Sequence, residues 1–117
     1  MSPEEVVRAV AGAWSRLDVD EILTLFTADA VYENVGIGVA TGTDEIRQAI
    51  EPMIRSLSFF DCEIVSMAVS GNLVFTERVD HIVMDGTPIP FRIMGIWEVK
   101  GDRISAKRDY FNPAGQS

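Results

Sequence analysis

The sequence is poor in the residues that bind transition metals and form disulfides. It contains one cysteine and one histidine among 117 residues. A single cysteine excludes an internal disulfide. Zinc and other transition-metal sites usually need three or four His, Cys or carboxylate ligands, and the sequence has no such cluster. No Asp- and Asn-rich loop has calcium-binding spacing either. We therefore expect a protein without a bound metal.

Long hydrophobic runs and basic residues are also scarce. No stretch approaches the ~20 apolar residues of a membrane span, and residues 1–10 lack the basic start and apolar run of a signal peptide. Lysine and arginine number 10 against 18 aspartates and glutamates, a formal net charge of −8. Such a chain repels phosphate backbones and anionic lipids, so nucleic acid and membranes are poor partners. The cytoplasm is the simplest expected location.

Length and composition are those of an ordinary globular protein. Apolar residues make up 47% of the chain and charged residues 24%, which is typical of a folded chain and not of a disordered one. We find no internal repeat, linker or low-complexity tract. A chain of this length can bury a real core, so we expect one domain over residues 1–117.

Three helices are predicted in the first half of the chain. Residues 2–5 (SPEE) form a capping box with proline at the first helical position, and apolar residues then recur at helical spacing. Asp18 can cap a second, short helix that runs to Phe26. A third helix is expected after Thr43, and Pro52 inside it should kink or split it.

The rest of the sequence alternates with a period of two, which is typical of strands. A short strand, a glycine turn and a second extended piece are expected within residues 30–41. Pro88 and Pro90 indicate a sheet edge or a loop. The longer predicted strands are Phe59–Val69, Leu73–Met84, Phe91–Val99 and Arg103–Phe111. This order predicts an α+β fold in which a strongly curved mixed or antiparallel sheet packs on the N-terminal helices.

Polar side chains share a face with apolar neighbours on three of these strands. Alternation puts Arg78 and Asp80 on one face of their strand, and Tyr32 and Asn34 on one face of an earlier strand. Asp109 shares a face with an aromatic residue in the last strand. Each of these groups alone is typical of a solvated surface, because charges are costly to bury unless they are paired. Their combination suggests a polar site inside the fold.

Three further reactive residues are given no catalytic role. His81 alternates to the face opposite Asp80, and Cys62 is typical of a small buried hydrophobe. Lys107 has the parity of Asp109, where a cation would hold the carboxylate ionised but make it a weaker base. We expect Lys107 to reach towards solvent or to be turned away by a bulge.

The motifs VYENV, FTERVDHIV and KRDYFNP resemble the limonene-1,2-epoxide hydrolase family. They keep its order, with Tyr-x-Asn, then Arg-x-Asp, then Arg-Asp-Tyr-Phe, over nearly the whole chain. The resemblance implies the cone-shaped α+β barrel of the nuclear transport factor 2-like (SnoaL-like) superfamily. It implies hydrolysis of a hydrophobic epoxide to a vicinal diol without metal or organic cofactor. It also implies a homodimer formed by the outer sheet face, on which Phe75, Val79 and Val83 lie.

The resemblance assigns a role to each matched polar residue. Asp109 would be the general base that takes a proton from water, and Tyr32 and Asn34 would hold that water. Asp80 would be the general acid that protonates the epoxide oxygen, and Arg78 would bind both carboxylates. A single guanidinium between two carboxylates favours one shared proton, so that one acid is ionised while the other is protonated.

Apolar residues on the same faces are candidate walls of a substrate pocket, and ordinary core is the alternative interpretation for most of them. They are Trp14, Met53, Leu57, Phe59, Ile82, Ile93 and Phe111. Two other functions stay open, since the fold alone does not define an activity. A ketosteroid-isomerase-like or polyketide-cyclase-like enzyme would use one carboxylate as base with a tyrosine or a protonated acid as oxyanion donor. A non-catalytic small-ligand-binding protein would need no bridged pair of acids.

Overall fold

The structure, a computed structural model, describes residues 1–112. Its helices are α1 (Pro3–Ser15), α2 (Val19–Thr24) and α3 (Gly42–Ser56). Its strands are β1 (Phe26–Asn34), β2 (Gly38–Thr41), β3 (Leu57–Ser70), β4 (Leu73–Met84), β5 (Thr87–Lys100) and β6 (Arg103–Tyr110). Within these residues, no helix combines the length and the apolar character that crossing a membrane requires.

The strands form one open, mixed sheet in the order β2-β1-β6-β5-β4-β3. β1 and β6 run parallel, and the other neighbouring strands are antiparallel. α1 packs mainly on β3 and α3 on β1, so the helices cover the inner face of the curved sheet. The α+β class predicted from the sequence is confirmed. The sheet does not close into a complete barrel, because β2 and β3 remain its two edges.

The two N-terminal helices begin at the capping residues that the sequence predicts. Ser2 Oγ accepts the N–H of Glu5 at 3.2 Å, and Glu5 Oε1 accepts the N–H of Ser2 at 2.8 Å, which completes the capping box. The Asp18 carboxylate accepts the N–H of Glu21 at 3.0 Å and caps α2. These local hydrogen bonds set where α1 and α2 start, and with them the position of α1 over the sheet.

The end of α2 and the course of α3 differ from the sequence prediction. α2 ends before Phe26, which instead begins β1 and is fully buried in the core. α3 continues through Pro52 without the predicted split. Its buried side chains are Ile46, Ile50 and Ile54. Because this apolar stripe extends on both sides of Pro52, burial compensates for the one hydrogen bond that the proline cannot make.

A β-bulge in β3 reverses the alternation expected at its start. Ser58 is the extra residue between the Leu57–Met84 and Phe59–Val83 pairs. The inward side chain after Leu57 is therefore Phe60, and Phe59 is 50% exposed on the other face. The sequence prediction that Phe59 faces the interior is wrong for this reason.

A second bulge acts in the same way in β6. Val99 pairs with Ile104 and Glu98 pairs with Ala106, which leaves Ser105 as the extra residue. The inward face consequently passes from Ile104 to Lys107 and continues to Asp109, all of which are buried. Lys107 faces inward because it alternates regularly with Asp109, and the bulge at Ser105 allows the buried Ile104 to share that face. The prediction that a bulge turns Lys107 out is wrong.

The prolines of β5 lie in a strand and not in a loop. β5 starts at Thr87, earlier than predicted, and pairs with β4 through Pro88 and Pro90. β6 joins β5 only from Met94 onward, so the first half of β5 has a partner on one side alone. A proline is tolerated there because its missing N–H leaves no ladder partner unsatisfied. The expected sheet edge is present at this position, while the alternative of a loop is wrong.

Candidate active site

A cavity of about 150 Å³ lies between the inner sheet face and helices α1 and α3. One water needs only ~10–15 Å³, so a small organic molecule fits there together with water. The polar lining is Tyr32, Asn34, Arg78, Asp80, Lys107 and Asp109. The apolar lining is Ala11, Trp14, Met53, Phe60, Cys62, Ile82, Phe91, Ile93, Trp97 and Phe111. The five polar residues singled out in the sequence therefore face one cavity.

Strand register brings the polar groups together from distant parts of the chain. Asn34 pairs with Asp109 across β1 and β6, and Asp109 pairs with Gly95 across β6 and β5. Gly95 in turn pairs with Thr76 of β4, which Arg78 follows on the same face. One row across four strands thus places an amide, a carboxylate and a guanidinium side by side.

Arg78 contacts both carboxylates of the cavity. Its Nη2 donates to Asp109 Oδ2 at 2.7 Å, and its Nε donates to Asp80 Oδ1 at 3.1 Å. A third bond, from Nη1 to Thr76 Oγ1 at 3.3 Å, fixes the plane of the guanidinium. Burial opposes the charge of Arg78, but the Asp109 and Asp80 carboxylates outweigh burial and raise its pKa. Arg78 is therefore a permanent cation between the two acids.

Gly95 makes room for this bridge. Arg78 stands on β4 and Asp109 on β6, so the guanidinium must cross the intervening strand β5 at Gly95. A Cβ at Gly95 would lie 2.7 Å from Asp109 Oδ1 and still closer to Arg78 Nη1. Gly95 is not among the site residues predicted from the sequence. An isolated glycine within a strand pattern, which marks close approach of other groups, was the available signal.

Lys107 is a second buried cation in the site. Its Nζ lies 3.1 Å from Asp109 Oδ2 and donates to Tyr32 Oη at 3.3 Å. The same ammonium lies 4.4 Å from the ring centroid of Tyr32, 5.0 Å from that of Trp97 and 5.7 Å from that of Trp14. The expectation that Lys107 points to solvent is wrong, because unbroken alternation with Asp109 places both side chains on the same inward face. The assumption that Arg78 is the single cation between the two carboxylates is therefore also wrong.

The cations leave the two carboxylates in unequal surroundings. Burial alone would raise the pKa of Asp109, but Lys107 and Arg78 outweigh burial and hold that pKa below its usual value. Asp80 contacts only Arg78 among these cations, and its side chain is 13% exposed against 4% for Asp109. Asp109 is therefore the carboxylate that the site keeps ionised.

Two buried polar atoms of the cavity lining have no hydrogen-bond partner within the part of the chain described. They are Asp109 Oδ1, an acceptor, and Trp14 Nε1, a donor. Buried polar atoms are rarely left unpaired in folded proteins, and those that are often belong to functional sites. Because both residues line the cavity, a molecule bound there is a candidate partner for each of these atoms.

The apolar walls predicted from the sequence divide into two groups. Those that line the cavity are Trp14, Met53, Ile82, Ile93 and Phe111. Leu57 is buried in the core away from it, and Phe59 faces outward because of the bulge at Ser58. Phe91 and Trp97 were missed although they alternate with Ile93, whereas Phe60 could not be found without knowledge of the bulge. As predicted, His81 lies on the outer face, where its Nε2 is 2.8 Å from Glu63 Oε1.

Cys62 lines the cavity but is expected to be unreactive. Burial, with a smaller contribution from the Asp80 carboxylate, raises the pKa of the Cys62 thiol to about 12. Only about 10⁻⁴ of the thiol would then be the nucleophilic thiolate at pH 8. We expect neither iodoacetamide nor a small epoxide to modify the folded protein within the time that labels the urea-unfolded chain, as measured by intact mass. Equal labelling of both states would contradict this expectation.

The fold and the cavity place the chain in a known family. Its sequence matches the SnoaL-like domain family over residues 6–107, and the chain belongs to that family. It is 31% identical over 106 residues to the epoxide hydrolase EphG of Mycobacterium tuberculosis, covering 91% of this chain and 70% of that protein. These two matches confirm the family resemblance inferred from the three motifs.

Solved structures agree with this assignment. A structure of an LEH-like epoxide hydrolase from M. tuberculosis superposes with a TM-score of 0.84 at 29% identity, covering 95% of this chain and 83% of that one. A protein from Catenulispora acidiphila with a ketosteroid isomerase-like fold, solved with trimethylamine, gives 0.85 at 25% identity, with 98% and 90% covered. A putative SnoaL-like polyketide cyclase from Shewanella denitrificans shares the fold alone, at 15% identity, a TM-score of 0.87 and coverage of 97% and 92%.

Proposed function

We propose that this protein hydrolyses a hydrophobic epoxide to a vicinal diol in one step, by general acid–base catalysis without metal or organic cofactor. The free oxygen of Asp109 carries the proposal. Oδ2 is occupied by Arg78 and Lys107, while Oδ1 is buried and has no partner among residues 1–112, and Asp109 lines the cavity. An ionised carboxylate with one free oxygen beside an apolar cavity suits a base that takes a proton from water.

The unequal contacts of the two carboxylates support the division of roles. Two cations lie within 3.1 Å of Asp109, whereas Asp80 contacts Arg78 alone. The proposal therefore assigns the base to Asp109, which two cations hold ionised, and the general acid to Asp80. This asymmetry replaces the single-cation argument of the sequence analysis and leads to the same assignment. Asn34 and Tyr32, beside Asp109 on β1, would hold the attacking water.

The proposed reaction balances without another reactant. Water gives a proton to Asp109 Oδ1 as its oxygen bonds to a ring carbon. The ring C–O bond breaks towards the oxygen, which takes a proton from Asp80. The proton on Asp109 then returns to Asp80, and the diol leaves. A positioned base and a positioned acid typically each contribute about 10²–10⁴-fold, and ring strain supplies the remaining driving force.

The proposal is tested by incubating the protein with terpene, cycloalkene and aryl epoxides and measuring diol formation. With ¹⁸O-water under single turnover, we expect the label in the diol and none in the protein. Label in Asp80 or Asp109 would instead indicate an ester intermediate. No turnover of any epoxide would favour the alternatives, which are an isomerase, a cyclase or a ligand-binding protein of the same fold.

Three wider expectations stay predictions. They are one domain over residues 1–117, a cytoplasmic location and a homodimer formed through the outer sheet face. The side chains expected at that interface, Phe75, Val79 and Val83, are partly exposed on the outer face of β4.

A further inference from the structure

We propose that Lys107 is a positioning residue of the site: its ammonium keeps Asp109 ionised, leaves Oδ1 as the proton-accepting atom, and directs the Tyr32 hydroxyl proton into the cavity. This inference rests on the proposed hydrolysis, although its central claim can be measured without turnover. The family resemblance assigns no role to Lys107, and the sequence alone predicts that it lies outside the site.

The first part of the inference follows from how Asp109 is occupied. Arg78 Nη2 at 2.7 Å and Lys107 Nζ at 3.1 Å both bind Oδ2. Neither cation binds Oδ1, which has no partner within the described residues although it is buried. The carboxylate of Asp109, which lines the cavity, is thus held through one oxygen by two charges, and its other oxygen is left without a partner among the described residues. Lys107 fixes the charge of the base without blocking its reactive atom.

The second part follows from the donors available to Tyr32. An ammonium group donates hydrogen bonds and accepts none. In the 3.3 Å contact, Tyr32 Oη must therefore be the acceptor. The single O–H proton of Tyr32 has to point away from Lys107, and the Tyr32 side chain lines the cavity. The tyrosine consequently presents a donor to a bound water or substrate oxygen.

Lys107 remains charged in this buried position because its surroundings compensate for lost water. The rings of Trp14, Tyr32 and Trp97 lie within 5.7 Å of its Nζ and form an aromatic cage around it. Burial would lower the pKa of Lys107, but Asp109, Tyr32 and Asp80 together outweigh burial and raise it. The titratable and charged groups around it are Tyr32 from β1, Cys62 from β3, Arg78 and Asp80 from β4, and Asp109 from β6.

The inference predicts the direction in which the pH dependence of kcat/KM shifts when Lys107 is removed. A base that must be ionised loses activity as the pH falls through its pKa. Removing one of two adjacent cations raises that pKa, since an opposite charge within ~4–6 Å lowers a carboxyl pKa by about 1–3 units. In Lys107→Met, the acidic limb of kcat/KM for diol formation should therefore move to higher pH by about 1–3 units.

The matched control is Lys100→Met, the same substitution at an exposed lysine of β5. It should leave both the acidic limb and the plateau of the kcat/KM profile unchanged. Tyr32→Phe keeps the aromatic cage but removes the hydroxyl, so the plateau should fall about tenfold while the limb stays in place. An unmoved limb in Lys107→Met would overturn the electrostatic role, and an unchanged plateau in Tyr32→Phe would overturn the hydroxyl role.

A second measurement separates this inference from the proposed function. With ¹³Cγ-aspartate labelling, the NMR signal of Asp109 should show an ionised carboxylate in the wild-type protein at every pH above about 4. In Lys107→Met, its midpoint should be higher. A wild-type midpoint above 4, or no rise in the variant, overturns the inference whether or not any epoxide is turned over. If the variant does not fold, the wild-type titration can still overturn the inference, because a midpoint above about 4 contradicts a carboxylate that two cations hold ionised.

Discussion

Asp109→Asn is expected to reduce kcat/KM for diol formation by roughly 10²–10⁴-fold. The amide retains the shape of the carboxylate but cannot accept a proton from water. The substitution also leaves Arg78 and Lys107, which both bind Oδ2 of Asp109, as buried cations without that counter-charge. Breaking a buried ion pair costs about 3–5 kcal/mol, so the free energy of unfolding should fall together with activity.

Asp61→Asn is the matched control, because Asp61 is exposed on the outer face of β3. It should preserve both activity and stability. Circular dichroism and urea denaturation at the assay temperature show whether the Asp109 variant is folded when its activity is measured. Asp109→Glu keeps the charge and tests displacement of the base by one methylene. A folded Asp109→Asn protein with wild-type turnover would remove Asp109 from the mechanism.

Local signals in the sequence predict much of the fold. The capping box at Ser2, the cap at Asp18 and the period-two alternation of β4 all depend on residues close together in the chain. The same alternation predicts that Arg78 faces inward and His81 outward, because β4 contains no bulge of its own against β5. Local periodicity therefore identifies the strand that carries the central cation of the site.

The remaining features depend on pairing between strands and escape local patterns. The extra residue Ser58 decides that Phe59 faces out, and nothing in that segment distinguishes a bulge from regular alternation. In β6 the bulge at Ser105 lies before Lys107, so Lys107 keeps its alternation with Asp109 and faces in, where the sequence predicts that it is turned away. The number of charges in the site was therefore predicted incorrectly, although each motif was recognised. Gly95 acquires its importance only from the register that places it between Thr76 and Asp109.

Gly95→Ala is expected to separate Arg78 from Asp109 and to lower activity by about 10²-fold or more, a loss comparable to removing an acid–base partner. The new Cβ would occupy space now filled by the guanidinium and by Asp109 Oδ1. Because Arg78 is tied to Asp109 and to Thr76 by hydrogen bonds, moving it breaks those bonds, and overpacking should also cost about 1–3 kcal/mol of stability. Gly38→Ala is the control, because a Cβ at that strand glycine would meet nothing within 4 Å.

A double-mutant cycle distinguishes this specific clash from general damage to β5. If Gly95 matters because it lets Arg78 cross the strand, most of the harm from Gly95→Ala should vanish in an Arg78→Met background, where no guanidinium occupies that space. Activity and unfolding free energy would then be strongly non-additive, as expected for residues in direct contact. Additive losses would show instead that the alanine acts on the strand or on Asp109 alone, and that the crossing at Gly95 does not control the Arg78 bridge.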